Sequence, residues 1–161
     1  MAEATSYLDF AEDDYLFFKP AYESGNRRSA LAALGQNICE RYLKHVVSEY
    51  AEPENTVEEA QKINILRTHS LRKLMQYISN DMSVEIPPDT EMKLSLIDGF
   101  YFTTRYPGDD SYLASARDID KAYGAVNAAR DFTLDLCHQY TLEQQENIGE
   151  YNYYDYDEEE R

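Results

Sequence analysis

A chain of 161 residues is long enough for one domain with a single sizeable core, and 43% hydrophobic content marks it as globular. The net charge of −16 excludes a general surface for DNA or for an anionic membrane, since both need clustered Lys and Arg. No stretch nears the roughly 20 apolar residues of a membrane helix, Met1-Ala2-Glu3-Ala4 lacks the basic and apolar regions of a signal peptide, and Cys39 and Cys137 have no second Cys or His at metal-ligand spacing. A reduced cytoplasmic protein holding neither metal nor cofactor is expected.

In chain order, the spacing predicts a first helix over residues 6–19. Ser6 is the N-cap, with Asp9 three residues on. Leu8, Ala11, Tyr15 and Phe18 fall on one face, Glu12, Asp13 and Asp14 are solvated charges, and Pro20 stops or kinks the helix. Ser24-Gly25-Asn26 reads as a turn. A second helix over 27–51 carries Leu31, Leu34, Ile38, Tyr42 and Val46 on its apolar side. Gln36, Glu40, Lys44 and His45 lie along a more polar side, and Gly35 suggests a close helix crossing.

Thr56 with Glu59 reads as a capping box opening a third helix that runs unbroken to Ile78. Ile63, Leu66, Leu74 and Ile78 make its apolar stripe. Arg67, His69, Arg72 and Lys73 concentrate positive charge on it, and residues 69, 72 and 73 would share a face. A fourth helix starts at Asp89 or Thr90 and ends before the turn Pro107-Gly108-Asp109-Asp110. A fifth spans 117–147, with Ala122, Ala125, Ala128 and Ala129 allowing close approach of another helix. No strand-like alternation occurs. Residues 148–161 form an acidic, Tyr-rich tail that is expected to be disordered, or, if ordered, to dock on a basic groove.

The stretch Thr68-His69-Ser70-Leu71 followed by Leu74 resembles the Thr-His-x-Leu-x-x-Leu helix of HEPN domains. These small helical domains occur in prokaryotic nucleotidyltransferase-linked proteins. Tyr7-Leu8-Asp9-Phe10-Ala11-Glu12-Asp13-Asp14-Tyr15 resembles the family's first helix, and Arg105-Tyr106-Pro107 its Arg-Tyr-Pro after the fourth. The order and spacing fit over residues 6–142. The resemblance implies an all-α up-and-down bundle of four to five helices over residues 1–147. It also implies a homodimer, for which the Tyr- and Ala-rich fifth helix is the candidate interface.

Three constellations bear on function. Arg67, His69, Arg72 and Lys73 suit an anion, and the resemblance points to a nucleotide such as ATP or GTP; alternatively they form a helix edge paired with the abundant Glu side chains. Arg105 and Tyr106 extend the nucleotide-binding set by resemblance, although in a simple antiparallel pair Arg105 would lie near the start of the third helix, away from Lys73. The third is Arg130-Asp131…His138-Gln139-Tyr140, which resembles the Arg and His pair of HEPN ribonucleases and the Tyr that some toxin members place after it. The gap of seven residues between Arg130 and His138 is one longer than that pattern. Eight helical steps separate the two by about 80° and about 12 Å of rise. A non-enzymatic nucleotide- or partner-binding module is expected, working with a separately encoded nucleotidyltransferase. The alternative is a metal-independent endoribonuclease toxin using Arg130, His138 and Tyr140.

Overall fold

A computed structural model describes the backbone of residues 5–158 and the side chains of residues 5–148. Among the described residues there are seven helices and no strand: α1 (Tyr7–Glu23), α2 (Ala30–Tyr50), α3 (Thr56–Leu66), α4 (Leu71–Asn80), α5 (Pro88–Ile97), α6 (Phe100–Thr103) and α7 (Ala116–Glu158). None is long and apolar enough to cross a membrane. The backbone of α7 is helical eleven residues beyond position 147, to Glu158. Side chains from 149 onward and residues 159–161 lie outside the described residues, and with them most of the expectation for the tail.

The bundle is built around α2, which packs against α1, α4, α6 and α7. Fourteen of its 21 residues are buried, too many for an amphipathic surface helix. The more polar side formed by Gln36, Glu40, Lys44 and His45 is therefore part of the core: none is more than 7% exposed. Gly35 does mark a close crossing. A Cβ built there would sit 2.9 Å from the Ala122 Cβ and 3.4 Å from the Phe18 ring. Ala122, Ala125 and Ala129 are fully buried inside the bundle, so this small-residue face of α7 is spent on the chain's own packing and is not a subunit interface.

Ser6 and Asp9 form the expected capping box on α1. The helix continues past Pro20 for another turn, where the sequence alone places its end. The N–H that proline lacks would have bonded the carbonyl of Leu16, on a face open to water. Tertiary contacts hold the extra turn. Tyr22 stacks on Tyr123 at 3.9 Å, its hydroxyl donates to Asp120 at 2.8 Å, and Arg27 lies over its ring. Glu12 is not simply solvated either. It accepts two bonds from Arg130, at 2.8 and 2.9 Å, and one from the Tyr42 hydroxyl at 2.6 Å. Burial works to raise the Glu12 pKa, but the bonds from Arg130 and Tyr42 prevail and hold it below its ordinary value.

The third predicted helix is two helices. Its cap is Asn55, whose side chain accepts from the N–H groups of Val57 and Glu58, one position before Thr56. Glu58 adds to this cap by accepting from the Glu54 N–H and the Asn55 side-chain amide. After Leu66 the helix stops, and α4 begins afresh with Ser70 as N-cap. The fourth predicted helix breaks in the same way: α5 ends at Ile97, and Gly99 takes φ +101° before the single turn of α6.

The close crossing yields a prediction. Helix propensity alone would make Gly35→Ala stabilising by about 1 kcal/mol. The contact with Ala122 instead forces α2 and α7 apart, and thermal unfolding is expected to show a net loss of about 1–2 kcal/mol.

Candidate functional site

The two helix breaks meet at one place. Residues 67–70 join α3 to α4, and residues 98–99 join α5 to α6. The buried Gln36 amide joins them. Its Nε2 donates to the His69 carbonyl at 2.8 Å, and its Oε1 accepts from the Tyr101 N–H at 2.7 Å. One turn along α2, the Glu40 carboxylate accepts from Lys44 at 2.6 Å and lies 3.2 Å from Nδ1 of His69. An Nδ1–H tautomer donates to that carboxylate and leaves Nε2 as an acceptor.

The His69 ring is fixed on its faces as well. It stacks on Tyr101 with centroids 5.0 Å apart and planes 7° apart, and meets the edge of Phe102 at 5.9 Å. The Arg105 guanidinium lies 5.1 Å from the Tyr101 ring centre and 5.5 Å from that of Tyr106. His69 keeps 48% of its side chain exposed, and Phe102 is 53% exposed. Between them Thr68, His69, Ser70, Asp98, Gly99 and Phe102 line an open pocket of about 410 Å³.

Asp98 governs what the pocket accepts. Its carboxylate takes the Leu71 N–H at 2.9 Å, the Arg72 N–H at 3.3 Å and the Ser70 hydroxyl at 3.0 Å. The N-terminus of a helix is a natural anion site. Here the chain's own carboxylate occupies it, so an incoming phosphate must find its partners elsewhere on the rim.

The break at 67–70 separates residues that an unbroken helix would have aligned. Arg67 is the C-cap of α3, His69 is in the loop, and Arg72 and Lys73 are on the first turn of α4, so no single helical face carries the four. Arg67, Arg72 and Lys73 are exposed and form no ion pair among the described residues. The same break, with the one at Gly99, brings both His69 and Arg105 against the Tyr101 ring. They form one cluster, where a simple antiparallel pair would have kept them apart. Sequence reasoning missed Asp98, Tyr101 and Phe102, and placed Gln36 and Glu40 only on a more polar side of the second helix.

Arg130, His138 and Tyr140 do not come together. Arg130 is bound at both ends of its fork by Glu12 and lies over the Tyr15 ring at 4.6 Å. Hydrogen bonding to Glu12 raises its pKa further, so it stays charged and committed. His138 is exposed, and Tyr140 stacks on Tyr50 at 4.1 Å.

The two bonds of Gln36 make a prediction. Gln36→Leu keeps the volume but leaves the half-buried His69 carbonyl and Tyr101 N–H without their side-chain partner. Each such group costs about 1–3 kcal/mol, so denaturant unfolding should register a loss of about 2–4 kcal/mol.

Comparison with known proteins bears on this arrangement in one way. Neither curated proteins nor solved structures give a match. The HEPN domain family matches residues 6–136, a span that contains the first helix, the His69 loop, Gln36, Glu40 and Arg105. The chain belongs to the HEPN domain family.

Proposed function

We propose that this HEPN domain is a non-enzymatic nucleotide-binding module with its ligand seated at the His69–Phe102 pocket. The observation that carries the reading is a half-exposed imidazole locked by Glu40 and Tyr101, beside an exposed Phe102, with the Arg105 guanidinium against the Tyr101 ring. A purine needs a flat apolar surface and a hydrogen-bonding edge, and Phe102 with His69, Thr68 and the Gly99 backbone offers both. Phosphates need cations, and Arg105 and Arg67 stand on the flanking segments. Asp98 turns the phosphates away from the α4 N-terminus toward those arginines. Ser70 donates its hydroxyl to Asp98 and accepts from the Lys73 N–H, so both of its bonds serve the start of α4.

A separately encoded nucleotidyltransferase is the proposed partner, and a second copy of the chain the proposed assembly. The ribonuclease reading draws no support from Arg130, whose Nε and Nη2 are paired with Glu12.

Titration calorimetry with ATP and GTP tests the proposal. The wild type should bind one of them, more tightly at low salt. Arg105→Ala should remove a charge-assisted contact worth about 1.5–3 kcal/mol, or roughly 10–150-fold in affinity. Because Arg105 is exposed, its unfolding temperature should barely move. Phe102→Ala should cost about 1–3 kcal/mol of binding through lost stacking. A wild type that binds neither nucleotide, or an Arg105→Ala chain that binds equally well, would refute the reading.

A further inference from the structure

A second concavity lies at the opposite end of α4 from His69. It measures about 520 Å³ and opens between the C-terminal ends of α2 and α4 and the start of α3. Its aromatic wall is Tyr50, Tyr77 and Tyr140, with Met82 beside them. Tyr50 and Tyr140 are stacked with planes 10° apart, a rigid flat surface. Its polar wall is Glu52, Glu54, Glu58 and Asp81, and no Lys or Arg lines it.

Three features make the cleft more than a patch of acid. First, the last turn of α4 carries no basic residue, so the negative end of its helix dipole adds to the carboxylates. Second, Glu58 is already engaged in capping α3, but Glu52, Glu54 and Asp81 form no ion pair among the described residues. Third, Lys62 already places an ammonium at this end of α2, donating to the Ser48 and Ala51 carbonyls at 3.0 and 2.9 Å. The Tyr77 hydroxyl is held above its ordinary pKa, first by burial and then by the negative charges of Asp81 and Glu58.

The chemistry of the two walls selects the occupant. Among the described residues no three His, Cys, Asp or Glu converge as metal ligands. Dispersed carboxylates call for dispersed positive charge. Tyrosine faces and a methionine call for methylene groups, and favour alkylammonium over the ring face. We propose that this cleft binds an aliphatic polyamine of the spermidine type, its ammonium groups on Glu52, Glu54 and Asp81 and its methylenes along Tyr50, Tyr77 and Tyr140.

Titration of the purified chain with spermidine decides the matter. The wild type should show saturable one-to-one binding that weakens with salt, and magnesium chloride of matched charge should give none. Glu52→Gln with Glu54→Gln, both at exposed positions, should bind at least about tenfold more weakly while circular dichroism stays unchanged. Asp81→Asn should weaken binding independently, so the test survives if the double variant misfolds. Asp109→Asn with Asp110→Asn removes the same charge from a distant loop and should bind like wild type. Absence of saturable spermidine binding, cleft variants that bind like wild type, or an equal loss in the loop variant would each overturn the proposal.

Discussion

A buried amide must find a partner for its N–H and for its carbonyl, and Gln36 finds them on two different breaks in the chain. It holds the His69 carbonyl with one end and the Tyr101 N–H with the other. Both partners are backbone groups that a continuous helix would have satisfied internally. Gln36 thus makes the two breaks tolerable in the interior and fixes their distance from each other. The stack of His69 on Tyr101 follows from that geometry, and Glu40, one turn on, then reaches Nδ1 of the same ring.

The rest of the bundle supplies the rigid frame for this arrangement. Gly35, next to Gln36, lets α7 approach until only a hydrogen fits between it and Ala122. On another face, Arg130 and Tyr42 converge on Glu12 and tie α1 to α7 and α2. Arg41 likewise pairs with Asp14. Polar side chains thus fix the register of α1, while apolar packing fixes α2 against α7. A charge pair in this setting adds specificity of alignment more surely than net stability.

Much of this was legible in the sequence, and the exceptions have physical causes. The Ser6–Asp9 box, the apolar face of α1 and the close crossing at Gly35 follow from local chemistry. The continuous reading of residues 56–78 failed because Ile63, Leu66, Leu74 and Ile78 keep helical spacing across the break. What stops the helix is Asp98, distant in sequence, which competes for the N–H groups of Leu71 and Arg72. Local signals for both breaks were present in Ser70, a favoured N-cap, and in the turn dipeptide Asp98-Gly99. Burial of Gln36, Glu40, Lys44 and His45 could not be read locally, because a polar residue in a helix looks solvated until its tertiary partner is known. The family motif falls on the His69 loop and the first turn of α4, where an unbroken helix was expected.

Charge is distributed along α4 in a way that gives the domain two distinct ends. Its N-terminal end carries the His69 pocket and the exposed cations, with Asp98 as a built-in counter-charge. Its C-terminal end faces the tyrosine and carboxylate cleft. Ten residues of helix, about 15 Å, separate the two. Both depend on α2 being buried, and the first depends on Gln36 in particular. Amide hydrogen exchange at Tyr101 tests that dependence directly. In wild type this amide should be protected, and in Gln36→Leu it should exchange at least about tenfold faster while core amides of α2 slow or quicken only with global stability. A Tyr101 amide that exchanges at the same rate, relative to those α2 amides, in both chains would contradict the account.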